Sequence, residues 1–138
     1  MADGFDSTMG ALNTAMNLRL INQNVINSNI ANADTPGYKA KTMEFEGALR
    51  TALGTGGGHL PMATSSEGHL VPKDSDPVHP EIYDDPNGVE SLDGNTVDRS
   101  GEMAKMAENQ LLYDAAIELM KKKLGMVKYA ISEGGGNR

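Results

Sequence analysis

Three histidines, His59, His69 and His79, recur every ten residues. Neutral imidazole is a common metal ligand, but zinc sites group their ligands a few residues apart or hold them on a packed scaffold. These three lie in a stretch interrupted by Pro61, Pro72 and Pro77, and the chain has no cysteine to complete a set. We expect no metal there. Asp84-Asp85-Pro86-Asn87-Gly88 and Asp93-Gly94-Asn95 hold enough carboxylates to suggest a calcium loop. They lack the twelve-residue pattern ending in glutamate, and Asp, Asn, Pro and Gly in such runs read as turns.

Gly54-Thr55-Gly56-Gly57-Gly58 has no following Lys-Ser/Thr pair and no preceding strand, so it is a flexible break rather than a phosphate loop. No serine sits in a Gly-x-Ser-x-Gly setting. The sequence offers no catalytic residues, no metal ligands and no cofactor site, and the expectation is a protein that is not an enzyme. The basic run Lys121-Lys122-Lys123 falls near the end of an expected helix, where cations suit the dipole. A net charge of −7 argues against nucleic acid, because phosphate binding needs cations to displace counterions.

The elements that would position chemistry are equally spare. Aromatics make up 4% of 138 residues, with no Trp and only Phe5 and Phe45, while Gly reaches 16. A chain so short of large apolar side chains has difficulty closing a compact core alone. No apolar run approaches the ~20 residues of a membrane helix. The opening Met1-Ala2-Asp3-Gly4-Phe5-Asp6 is acidic, unlike a cleaved signal peptide.

Two segments carry helical rhythm. In residues 5–33, Met9, Leu12, Met16, Ile26 and Ile30 keep a 3–4 spacing broken by Arg19 and Gln23, with Leu18, Ile21 and Val25 as an adjoining stripe. Asp6 or Ser7 is the expected N-cap, and Asn29 or Asn32 the expected left-handed C-terminal residue. Pro36 ends the helix, and Thr35-Pro36-Gly37-Tyr38 reads as a type II turn. In residues 98–132, Met103, Met106, Gln110, Tyr113, Ile117, Met120, Leu124, Val127 and Ile131 alternate 3 and 4 without a break, which is a coiled-coil-like seam. Asp98 or Ser100 is the expected cap, and Gly134-Gly135-Gly136 the expected stop.

Between them, residues 34–97 read as a turn, a short helix over 42–53 and a polar, proline-punctuated middle, with a short strand over 78–83. Residues 133–138 are a tail. The expected fold is all-α: two long terminal helices in an antiparallel, coiled-coil-like pair, with an irregular or extended middle segment. Both helices carry more apolar surface than the pair can cover, and unbranched Met suits packing against non-identical neighbours.

The run Asn29-Ile30-Ala31-Asn32-Ala33-Asp34-Thr35-Pro36-Gly37-Tyr38 resembles the Asn-x-Ala-Asn-x-x-Thr-Pro-Gly-Tyr signature of flagellar rod, hook and hook-associated proteins. Gly94 to Asp98, Glu102 to Tyr113 and Lys123 to Ile131 resemble the C-terminal part of its proximal-rod members. The family signature thus comprises Asn29, Ala31, Asn32, Asp34, Thr35, Pro36, Gly37 and Tyr38, and the two rhythmic stripes become an assembly seam. The resemblance implies export through the flagellar type III apparatus without a cleaved signal and assembly in the periplasmic rod of the basal body. Implied partners are other copies of the chain, other rod proteins, and the membrane-ring adaptor, ring and export-gate proteins at the rod base. The resemblance further implies a hollow tube that transmits torque and passes later subunits. Alternatives are a neighbouring proximal-rod protein and a cytoplasmic export-related coiled-coil chaperone.

Overall fold

The computed structural model describes residues 2–53 and 80–134. The three histidines, the glycine run 54–58 and part of the expected strand over 78–83 lie outside the described residues. The element order is α1 (Ala2–Ala31), β1 (Lys41–Met43), α2 (Phe45–Ala52), β2 (Ile82–Asp84) and α3 (Arg99–Gly134). The long helices α1 and α3 pack on each other, and α1 also contacts β1 and α2. Asn29 meets Glu102 while Asn22 meets Asn109, so the helices run antiparallel.

Each helix passes one expected end and stops short of the other: α1 is Ala2–Ala31 against an expected 5–33, and α3 is Arg99–Gly134 against an expected 98–132. The first extends through Asp6 and Ser7 back to Ala2, because adding turns to an existing helix is cheap compared with nucleating one. Its other end has no left-handed residue at Asn29 or Asn32: among the described residues only Gly37 and Gly94 have positive φ. Instead the helix tightens, with Asn32 N–H shared between the Ser28 and Asn29 carbonyls and Ala33 N–H bonded to Ile30 O at 3.2 Å. The turn that follows is the one the sequence announces. Tyr38 N–H bonds Thr35 O at 3.2 Å, and Gly37 supplies φ 72° at the third position. At the start of α3, Asp98 is the cap, its carboxylate accepting from Ser100 N–H at 3.1 Å.

Two three-residue strands form an antiparallel ladder, Lys41 opposite Asp84, Thr42 opposite Tyr83 and Met43 opposite Ile82. Such strands are too short to leave an alternation in the sequence. The helix expected over 42–53 is α2, whose Phe45 ring lies under the Arg19 guanidinium at 4.0 Å. Buried among the described residues are Leu18, Val25, Ile26, Ala40 and Met43, together with Asn29, Asn95, Glu102 and Asn109. Five apolar residues against four polar ones is a core specified as much by hydrogen bonding as by oil.

Candidate assembly interface

The N-terminal signature residues build a junction where the two helices, the turn and the hairpin meet. Asn29 is 1% exposed, and every bonding position of its amide is used. Its Nδ2 donates to Lys41 O at 2.7 Å and to Glu102 Oε2 at 2.8 Å. Its Oδ1 accepts from Lys41 N–H at 2.8 Å and from the Tyr38 hydroxyl at 3.4 Å. The amide thereby pairs with β1 as a neighbouring strand would, while also engaging the first turn of α3. Glu102 completes its bonding through Lys105 Nζ at 2.8 Å, and Lys105 also faces Asp85 at 3.6 Å. Burial alone would lower the Lys105 pKa, but the hydrogen bond and charge of Glu102, with Asp85, outweigh it and raise it.

Asn95 ties down the chain just past the end of α1. Its Nδ2 reaches the carbonyls of Asn32, Ala33 and Thr35 at 2.9, 3.1 and 2.8 Å, those of Asn32 and Thr35 also accepting backbone N–H bonds from Thr35 and Tyr38. Its own Oδ1 accepts from Val97 N–H at 2.7 Å. Gly37 and Gly94 meet back to back beside it, since a Cβ on Gly94 would stand 3.4 Å from Gly37 Cα. Asp34 pairs with Arg99 at 2.6 Å, and Thr35 Oγ1 donates to Asn32 Oδ1 at 3.2 Å. Ala31 and Pro36 are exposed. Most of the signature is thus a clamp that holds the end of α1 against the start of α3.

Two turns further along, Asn109 is buried in the helix pair. It donates to Arg19 O and to Gln23 Oε1, both at 2.9 Å, and accepts from Asn22 Nδ2 at 3.2 Å. No buried side-chain nitrogen or oxygen among the described residues lacks a partner. A satisfied asparagine inside a helix pair fixes register, because any slip strands its amide without partners.

The apolar rhythm of α3 divides around this register. Met106, Tyr113, Met120 and Val127 are half-buried, on one stripe with Glu102, Asn109 and Ala116. Ile117 is half-buried at its edge, while Met103, Gln110, Leu124 and Ile131 are exposed. In α1, Ile26 is buried and Met9, Leu12, Met16 and Ile30 are half-buried, with Leu18 and Val25 buried beside them. Beyond residue 110, α3 also exposes Leu111, Leu119, Met126 and Tyr129 on its remaining faces. The distal part of α3 thus carries apolar side chains on more than the face that meets α1, interspersed with the exposed charges of Glu118, Lys121, Lys122 and Lys128. Sequence rhythm missed Glu102, Asn95 and Asn109. The seven-residue step from Glu102 to Asn109 to Ala116, in phase with Met106, Tyr113 and Met120, was the available signal for the two helical residues.

Among the described residues no helix is long and apolar enough to cross a membrane, and no group of side chains is arranged to hold a metal ion. Residues 9–39 match the family model described as "Flagella basal body rod protein". Relatives named flagellar basal body rod protein FlgB align over almost the whole chain. The Aeromonas hydrophila protein is 37% identical over 93% of this chain and 96% of its own length. That of Salmonella typhimurium is 36% identical over 98% and 99%, and that of Cereibacter sphaeroides 34% over 93% and 96%. The chain belongs to the FlgB family of flagellar basal body rod proteins. Membership favours neither the neighbouring proximal-rod protein nor the chaperone, and members of the family are structural proteins rather than enzymes.

Proposed function

We propose that this chain is a structural subunit of the proximal rod of the flagellar basal body, built into a hollow tube by lateral packing of its two long helices. The observation that carries this reading is the outer surface of α3. Leu119, Leu124, Met126 and Ile131 stay exposed after α1 has docked, on a helix whose inner register is already fixed by Asn109. Surface of this kind is stabilised only when neighbours cover it. The covering surfaces come from other copies of the chain and from other rod proteins, with the membrane-ring adaptor, ring and export-gate proteins adjoining the rod base. The chain reaches that position through the flagellar type III apparatus without a cleaved signal. The tube transmits torque and passes later subunits. The assembly seam comprises the outward residues Met103, Gln110, Leu124 and Ile131, with the half-buried Met9, Leu12, Met16 and Ile117 completing it at the edges of the pair.

Removing residues 103–131 from the chromosomal copy tests this. The expected strain is non-motile, and its purified basal bodies lack an assembled rod. Normal swimming, or intact rods without the deleted segment, would contradict the proposal.

A further inference from the structure

The loop between β2 and α3 presents two large apolar side chains entirely to water: Val89 is 85% exposed and Leu92 is 111%. The loop is nevertheless pinned. Ser91 N–H bonds Asn95 O at 2.8 Å and Gly94 N–H bonds Ser91 O at 2.9 Å. Gly37 N–H bonds Asp93 O at 2.9 Å, and Lys39 ties down both Gly94 O at 3.1 Å and the Glu90 carboxylate at 3.1 Å. An apolar tip whose backbone is already ordered has met most of the entropic cost of binding in advance. Acidic groups, Glu90 and Asp93, flank the tip.

The complementary surface is on the same chain. Leu119, Lys122 and Met126 follow one another at helical spacing on a face of α3 turned away from α1. Leu119 and Met126 are each 56% exposed, and Lys122 is exposed between them with no ion pair among the described residues. The loop cannot reach this face within one molecule. It sits beside the start of α3, and Lys122 lies 23 residues beyond Arg99, about 35 Å along the helix.

Resting on the rod reading above, we infer that Val89 and Leu92 of one copy dock between Leu119 and Met126 of a second copy, with the Asp93 carboxylate, the acidic group of the tip that Lys39 does not hold, against Lys122. The two surfaces differ and lie far apart along the pair, so the contact is head-to-tail. Contacts of that kind propagate into open helical assemblies rather than closed dimers. Apolar contact supplies the affinity, and the opposed charges select the partner and its direction.

The absence of native cysteine allows a direct test. Chains carrying Leu92→Cys and chains carrying Met126→Cys, distinguishable by a tag, are produced together in cells lacking the wild-type protein, and purified basal bodies are oxidised. The expected product is a disulfide-linked dimer containing one of each chain, absent when either variant is present alone. Rods that contain both variants without cross-linking overturn the docking and leave the rod reading intact. A cross-link from the Leu92→Cys chain to a different rod protein overturns the second copy as occupant. Absence of the wild-type chain from basal bodies overturns both readings. If the cysteine chains fail to incorporate, Leu92→Asp decides. Its side chain is fully exposed, so the monomer's circular dichroism stays unchanged, while incorporation into basal bodies falls about tenfold or more, as expected when a charge enters an apolar contact. Unimpaired incorporation of that variant overturns the docking.

Discussion

The two ends of the helix pair are built on opposite principles. Around Asn29, Asn95 and Glu102 the chain buries polar side chains and satisfies every one of them within itself. Along α3 beyond residue 110 it leaves Leu111, Leu119, Leu124, Met126 and Ile131 in water. A buried, fully bonded polar cluster gives little net stability compared with oil, but it makes alternative registers costly. An uncovered apolar helix does the reverse, leaving the monomer under-stabilised and rewarding association. The junction therefore determines how one subunit folds, and the distal half determines that subunits belong together.

The largest expected effect comes from moving charge into the distal half. Leu124→Asp should abolish incorporation into basal bodies and swimming, while shifting the isolated chain's stability by no more than about 0.5 kcal/mol, as for other exposed positions. A comparable loss of monomer stability in a urea titration would erase the distinction between the two ends. Next is Asn29→Leu, which leaves the Glu102 carboxylate and the Lys41 backbone without their buried partner. A loss of about 3 kcal/mol is expected from breaking a charge-assisted hydrogen bond inside the fold, read as a lowered urea midpoint. A neutral result would mean the junction is not what holds the helices together. Gly37→Ala, at φ 72°, should cost about 1 kcal/mol through backbone strain alone, measurable as a small fall in the thermal midpoint.

The smallest effect is one of pH. The Lys105 pKa is raised above its ordinary 10.5, so the folded state holds this proton more tightly than the unfolded chain does. Its contribution is fully present below about 10.5 and is lost as pH rises through the folded value. The advantage of the wild-type chain over Lys105→Gln in urea should therefore be constant between neutral pH and pH 9 and shrink above 10.5. An advantage growing with alkalinity would reverse the assignment.

The sequence makes the scaffold easy to read and its alignment hard. The two helices, the turn at Pro36-Gly37 and the cap at Asp98 follow from local rules that act within a few residues. The partner of each helix face does not. The unbroken apolar rhythm from Met103 to Ile131 was the loudest signal, yet α1 takes the stripe containing Glu102 and Asn109, because those groups find complete bonding in Asn29, Asn22, Gln23 and the Arg19 carbonyl. Half of the rhythm is thereby left facing outward. Asn95 was illegible for a related reason: it ties down the chain just past α1 from 60 or more positions away, a distance at which spacing carries no information. The signature around Asn29 was recognisable by resemblance before its physical purpose was visible. In the fold it is the half of a clamp that α3 and the hairpin complete.

Backbone hydrogen exchange, measured on the isolated chain and again on the chain within purified basal bodies, tests the division of labour most directly. The account predicts that in the isolated chain residues 18–30 and 102–110 exchange more slowly than residues 112–134, and that the distal residues become strongly protected in the assembled rod. Equal protection along the whole of α3 in the isolated chain, unchanged on assembly, would contradict it.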